Sequence, residues 1–343
     1  MDKRLILAVA GSGKTTHILN QLDEENRHLI VTYTRENIRN LKNGIERKFN
    51  YFPENIKLYS FFEFLYSFCY KPFRARLDEP NGICWDNPNP KRRILEKYRA
   101  HFFTGDGRIY SNRLSKFMLR LGLEEAIIKR IEKYFDVFHI DEVQDFGGYD
   151  FDFLMRFSAL NLRLNWVGDF FQHTYDTSRD ANKNRSLHSS FDGYLNRFSE
   201  VGITIDQDSL LRSRRCPKVV TDFITDHLGI AIETHKDEIA IVQFIDDPSR
   251  VEEIALDKTI IKLFYRNHNK YHCYSSNWGK LKGADHLQDV CIVLNGKSLD
   301  LYKRGQLRES AALTRNKLYV ACSRANGNLF LVPENLMEKF KIQ

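Results

Sequence analysis

Leu5-Ile6-Leu7-Ala8-Val9-Ala10-Gly11-Ser12-Gly13-Lys14-Thr15-Thr16 carries an apolar run into a glycine-rich loop, and the stretch Thr16-His17-Ile18-Leu19-Asn20-Gln21-Leu22 continues it as a helix. Strand, glycine loop and helix in that order form a phosphate cradle. Backbone N–H groups around Gly11 to Lys14 ring a β-phosphate, and the positive end of the following helix adds to them. Lys14 then reaches the β- and γ-phosphates, and the Thr15 hydroxyl holds Mg²⁺. The generic pattern asks for glycine five residues before Gly13, where Ala8 stands. The pattern predicts that the chain binds a nucleoside triphosphate.

Composition bounds the rest. The chain has 343 residues, enough for about two domains with sizeable cores. With 25 Phe and 16 Tyr it is too aromatic to be disordered. A net charge of +7 favours polyanionic partners, though mildly. Six cysteines without a CxxC pair suit reduced thiols. Met1-Asp2-Lys3-Arg4 leads straight into the first strand, and no apolar run approaches the ~18 residues of a membrane span. These features predict a cytoplasmic protein with no membrane partner.

A second strand pattern, Tyr134-Phe135-Asp136-Val137-Phe138-His139-Ile140, delivers Asp141-Glu142-Val143-Gln144-Asp145 at its end. A P-loop ATPase needs such a pair: Asp141 orders Mg²⁺ through its water shell and Glu142 polarises the attacking water. A third, Leu162-Arg163-Leu164-Asn165-Trp166-Val167-Gly168-Asp169, is followed by Phe170-Phe171-Gln172. Gln172 is placed to hydrogen-bond a γ-phosphate and report its loss. Ligands of doubly wound sheets gather at strand carboxyl ends, where all three segments terminate.

Together, AxAGSGKT, DEVQD and VGDxxQ resemble the UvrD/Rep-like branch of superfamily 1 helicases, a family that carries Ala at the Ala8 position. Ile30-Val31-Thr32-Tyr33-Thr34-Arg35 resembles its TFTN strand, and Leu58-Tyr59-Ser60-Phe61-Phe62 its T-x-H-S-F segment without the His. The resemblance therefore implies single-strand contacts by Thr32, Tyr33, Tyr59, Ser60 and Phe61. Leu210-Leu211-Arg212-Ser213-Arg214-Arg215-Cys216 resembles LxxNYRS, which implies that Arg215 meets the γ-phosphate. Lys282-Gly283-Ala284-Asp285 resembles KGLE, with Asp285 in place of the ribose-contacting Glu. Leu318-Tyr319-Val320-Ala321-Cys322-Ser323-Arg324-Ala325 is similar to LYVAxTRA, which implies a second arginine finger at Arg324. Guanidinium groups around a transferring phosphoryl group stabilise the charge it develops, so both assignments make chemical sense. Arg324 is expected on a helix over 315–325, both arginines at a solvated cleft, and a closing strand at Asn328-Leu329-Phe330-Leu331-Val332.

The expected fold class is α/β: two RecA-like P-loop NTPase domains built on doubly wound parallel sheets, with a small, mainly helical insert in the first. The first domain is expected over 1–60 and 126–205, the insert over 61–125 and the second domain over 206–343. ATP would bind in the cleft between domains, whose opening and closing drives stepping.

Departures from the family pattern are specific. Only 67 positions separate Arg215 from Lys282, so the family's large regulatory insert is expected to be absent. No adenine-reading Gln precedes the loop, and Arg214 stands where a Tyr stacks on adenine, offering its guanidinium plane instead. Thr177 replaces a DNA-stacking aromatic, a loss of about 1–3 kcal/mol per base. His268, His272, Cys273 and His286 lack a four-ligand metal spacing, and Tyr271 with Tyr274 suggests a plain strand. Asp206, Asp208, Asp246 and Asp247 read as solvated turns, with no nuclease signature. Two functions remain open. One is a minimal UvrD/Rep-like ATPase acting on or sensing single-stranded DNA or RNA, with cutting left to a partner nuclease. The other is a nucleotide-gated regulatory subunit of an antiviral or toxin–nuclease complex with little unwinding activity.

Overall fold

The computed structural model describes residues 2–76, 80–89, 94–174, 183–280 and 287–342. By internal contact the chain forms two units, residues 1–6, 15–168 and 176–206 in one, and 7–14, 169–175 and 207–343 in the other. The phosphate-loop segment and the stretch containing Gln172 thus count with the second unit.

The first unit is built on a six-stranded sheet. Its path runs β1 (Lys3–Ala8), α1 (Lys14–Asn20), β2 (His28–Thr32), α2 (Arg35–Phe49), β3 (Ile56–Ser60) and the one-turn α3 (Phe61–Glu63). A π-helix over Phe64–Tyr70 and a 3₁₀ helix over Lys71–Arg76 continue from α3. The short β4 (Ile83–Cys84) and β5 (Ile109–Tyr110) pair with each other, and α4 (Leu114–Arg120) and α5 (Glu124–Tyr134) lead back to the sheet. Among its described residues the insert holds these helices, this two-residue ladder and irregular stretches between them. Then come β6 (Val137–Ile140), α6 (Gly148–Arg156), β7 (Arg163–Gly168), α7 (Phe191–Ser199) and β8 (Thr204–Leu210). Strand order is β3-β2-β6-β7-β1-β8, with β3/β2, β2/β6 and β6/β7 parallel.

The inner strands β2 and β6 form where the sequence is mainly apolar, whereas β8 at the sheet edge is largely polar. All five residues of β2 and all four of β6 are buried, as expected of a parallel sheet covered on both faces. The strand expected from Tyr134 begins only at Val137. Tyr134 instead closes α5, whose Ile127 and Ile131, one turn apart, bury its inner face.

The second unit continues with β9 (Arg212–Pro217), α8 (Lys218–Phe223), β10 (Glu233–Lys236), β11 (Val242–Phe244), α9 (Pro248–Leu256), β12 (Ile261–Phe264) and β13 (Ser275–Asn277). It ends with β14 (Val290–Leu294), α10 (Gly296–Lys303), α11 (Ala312–Cys322) and β15 (Leu329–Pro333). Its sheet, ordered β11-β15-β14-β12-β13, is parallel throughout. Fully buried β14 and β15 centre it, and apolar layers cover both faces. The α/β class of doubly wound parallel sheets read from the sequence is the fold observed. Near Tyr271, however, only an isolated bridge to Lys341 forms, and the strand begins at Ser275. Among the described residues no helix is long and apolar enough to cross a membrane.

Candidate nucleotide site

In the second unit the phosphate loop leaves β1 and turns through Gly11 at φ +73° and Gly13 at φ +93°, a backbone only glycine adopts without strain. Gly11 is fixed twice over, because a Cβ there would stand 2.7 Å from Arg215 Cβ and 2.8 Å from Ser213 Oγ. The arginine segment is seated directly on the loop: Arg214 N–H donates to the Gly11 carbonyl at 2.8 Å. Ser12 is buried and spends its hydroxyl on the Val9 carbonyl at 2.9 Å. Arg215, half-buried, donates through Nη1 to the Ser323 carbonyl at 3.1 Å. Ser323 adjoins Arg324, so both predicted arginines meet at this point of the unit.

Arg324 differs from its expectation in two ways. It lies just beyond α11, which ends at Cys322, and only 2% of it is exposed. Its Nε donates back to the Val320 carbonyl at 3.2 Å, closing the helix end. Arg214, by contrast, is exposed, which leaves its guanidinium plane free to stack. Gln172 is buried and donates through Nε2 to Asp169 Oδ2 at 2.9 Å.

In the first unit Asp141 is buried at the carboxyl end of β6, and Glu142 follows with φ 58° and ψ 48°, the left-handed region. Gln144 Nε2 donates to Glu142 Oε2. This corner abuts β7 so closely that a Cβ on Gly168 would stand 2.5 Å from Gln144 Oε1 and from Val143 Cγ1. The glycine of VGDxxQ thus makes room for the acidic corner. Thr15 lies in the first turn of α1. An alcohol and a carboxylate suit Mg²⁺, which takes one or two protein oxygens and leaves its other positions to phosphate and water. Among the described residues no group of three or more His, Cys, Asp or Glu could hold a metal ion unaided.

Behind the corner a buried polar row crosses the sheet. His28 Nδ1 lies 3.1 Å from His139 Nε2, and His139 Nδ1 lies 3.0 Å from Asn165 Nδ2. Burial pushes His139 well below the usual imidazole range, with His28 adding to the effect, so it packs as a neutral ring.

The predicted single-strand contacts separate into groups. Thr32 and Ser60 are register partners at the ends of β2 and β3. Thr32 is fully buried, and Ser60 forms a capping box with Glu63 at α3. Tyr33 is half-buried, stacks on Phe61 at 5.8 Å and meets Phe146 edge-on at 5.6 Å. Phe61 itself is 3% exposed, a core ring supporting Tyr33. Tyr59 alternates to the other side. There it lines a cleft of about 270 Å³ with Lys57, Phe68, Arg130 and Tyr134. Thr177 and the whole KG motif, Lys282, Gly283, Ala284 and Asp285, lie outside the described residues.

One group escaped sequence reading. At the carboxyl ends of β12 and β14 a cleft of about 430 Å³ is lined by Tyr265, Arg266, Asn295, Lys297, Ser298 and Thr314, among others. Arg266 lies over the Tyr265 ring at 5.0 Å and Lys317 at 5.4 Å. The available signal was Phe264-Tyr265-Arg266, an aromatic followed by a cation where an apolar run stops.

No protein family and no curated protein matches the chain. Solved structures similar to it include a PRRSV helicase, 13% identical, covering 99% of this chain and 54% of that one at TM-score 0.48. Two more are arterivirus nonstructural protein 10 helicases. One, in complex with DNA, is 15% identical, covers 96% of this chain and 60% of its own, and has TM-score 0.49. The other is also 15% identical, with coverages of 98% and 62% and TM-score 0.48. This chain therefore spans between 54% and 62% of the length of those three.

Proposed function

We propose that this chain is a P-loop ATPase of the UvrD/Rep-like type that uses ATP and Mg²⁺ to move on, or sense, single-stranded DNA or RNA. One observation carries the reading: the Ser213-Arg214-Arg215 segment is packed on the phosphate loop, against Gly11, in a contact that no residue larger than glycine would permit. A chance glycine turn would have no reason to be backed by the backbone and Cβ of an arginine-bearing segment. In this reading the backbone around Ala10 to Thr16 and the Lys14 ammonium bind the phosphates, and Arg214 and Asp285 meet base and ribose. Arg215 and Arg324 stabilise the charge that develops on the transferred group, Glu142 accepts a proton from the attacking water, and Gln172 aligns it. Thr15 and Asp141 would hold Mg²⁺, whose charge neutralises the phosphates. Nucleic acid would lie along Thr32, Tyr33 and the Ser60 segment, with Tyr265 and Arg266 as further contacts. Phosphate release measured with and without oligo-dT and oligo-U tests the reading. Turnover stimulated by either is expected, and no turnover under any condition refutes it.

The second reading, a nucleotide-gated subunit working with a nuclease, is favoured by one feature. The described part of the interval between Arg215 and Lys282 is occupied by α8, β10, β11, α9, β12 and β13, of which β11, β12 and β13 are strands of the unit's own five-stranded sheet. Nucleotide binding without turnover, together with capture of a nuclease only in the ATP state, would select it.

A further inference from the structure

The hydroxyl of Tyr319 sits at the centre of a buried chain of hydrogen bonds, all inside the second unit. It accepts from the Ala10 backbone N–H at 2.8 Å and donates to Asp169 Oδ2 at 2.9 Å. The same carboxylate oxygen accepts from Gln172 Nε2 at 2.9 Å, and Oδ1 accepts from the Phe171 N–H at 3.1 Å. Ala10 and Tyr319 are 0% exposed, Asp169 1% and Gln172 4%. A hydroxyl and a carboxylate placed so deep cost free energy unless every bond is made, and a Phe at 319 would fill nearly the same volume without that cost. The polar atoms therefore call for a reason beyond packing.

Donor and acceptor chemistry supplies one. A carboxylate only accepts, so the amide end that Gln172 turns to Asp169 is its NH₂. Oε1 is then the end left to accept from water, and the second N–H is left to donate to a phosphate oxygen. Burial, reinforced by Asp169, holds the Tyr319 phenol far above its ordinary range, so it remains a donor to that carboxylate.

We infer that Tyr319 and Asp169 are positioning residues, which fix the amide orientation of Gln172 and tie it to the phosphate loop through the Ala10 N–H. The inference rests on the ATPase reading above. The loop that binds the nucleotide and the glutamine that aligns the water then act as one hydrogen-bonded unit.

Tyr319→Phe removes one oxygen and keeps the ring. Wild type, Tyr319→Phe, Gln172→Ala and the double variant are compared for thermal midpoint, fluorescent ATP and ADP affinity, and phosphate release at saturating ATP. Tyr319→Phe is expected to stay folded and to bind ATP within about threefold of wild type. Its kcat should fall about tenfold or more, the scale of a misaligned reacting group. The double variant should be no slower than Gln172→Ala, because a group that acts through Gln172 has nothing left to act on. Additive losses, or wild-type turnover in Tyr319→Phe, overturn the inference and leave the ATPase reading standing. If Tyr319→Phe fails to fold, Asp169→Asn, which keeps size and loses the fixed polarity, goes through the same cycle under the same criteria. A wild type that binds ATP without turnover moves the cycle to the ratio of ATP to ADP affinity, with the same non-additivity expected. A wild type that binds neither nucleotide overturns the ATPase reading and this inference together.

Discussion

Glu142 holds a left-handed backbone, φ 58° and ψ 48°, at the end of a buried strand. A residue with a Cβ pays on the order of 1 kcal/mol or more to stay there, and such strain persists where surrounding contacts impose it. Here Gln144 holds the carboxylate and Gly168 lets the corner close. Glu142→Gln keeps the shape and the backbone while removing the basic oxygen. It should bind ATP as wild type does and hydrolyse it at least ~10²-fold more slowly. Collapse of ATP affinity with an unchanged rate per bound nucleotide would mark Glu142 as structural. Lys14→Ala, by contrast, should lose both turnover and most nucleotide affinity, since a charge and its bonds to phosphate vanish together. Undiminished turnover in that variant would remove the loop assignment. The two arginines also part company. Arg215→Ala is expected to fold normally and turn over slowly. Arg324→Ala should in addition lower the thermal midpoint, because it empties a site where the side chain is 2% exposed and its Nε closes the end of α11. A wild-type midpoint for Arg324→Ala would contradict that.

Between elements, Asp150 on α6 is the junction to watch. It is buried, accepts from Ser115 Oγ of α4 at 2.6 Å, and accepts from the Tyr33 hydroxyl beyond β2 at 3.4 Å. Burial pushes its carboxyl up to about 6, against an ordinary 3.8. The folded protein therefore binds this proton more tightly than the unfolded chain does. The resulting stability is full below pH ~4 and is lost as pH rises through about 6. About two pKa units correspond to roughly 3 kcal/mol. Asp150→Asn should abolish this slope, so the stability difference between variant and wild type should grow between pH ~4 and ~6.5 in denaturant titrations. A constant difference across that range would show that Asp150 is ionised in the fold. Elements of this kind also show what sequence can tell. β1, β6 and β7 were legible because each carries an apolar stretch, broken only by His139 in β6 and Asn165 in β7, and runs into a glycine-rich or acidic motif. The run over 61–76 was harder, because it winds successively as α, π and 3₁₀ helix and no single period describes it. Ser60 and Glu63 carried a capping-box spacing, yet Ser suits a nucleic-acid contact equally well, and only the fold decides between them. The depth of Arg324 was not legible either, since burial of a charge depends on packing from distant segments.

For the whole molecule, charge and missing parts point the same way. A net +7 gives a general attraction for polyanions, and the insert region 61–125 holds twelve Lys and Arg against eight Asp and Glu. Such attraction weakens steeply with salt, because its source is the release of counterions from the phosphate backbone. Grip that survives salt comes from stacking, at about 1–3 kcal/mol per base. Here that component is small. Phe61 is a core ring, Tyr59 lies on the other side of its strand from Ser60, and Thr177 stands where the resembling family has an aromatic. Tyr33 remains, with one side taken by Phe61, and so does Tyr265, whose ring Arg266 and Lys317 already approach. Single-strand binding and the ATPase stimulation it brings should therefore fall sharply between low and physiological salt, and the isolated chain should unwind duplex poorly. Thr177→Trp should tighten single-strand binding and flatten its salt dependence if position 177 faces the nucleic acid. Fluorescence anisotropy with a labelled oligo-dT across a salt series measures both quantities. Processive unwinding of long duplexes by the unmodified chain at physiological salt would refute the weak-grip reading, because it requires contacts that hold when counterion release no longer contributes much.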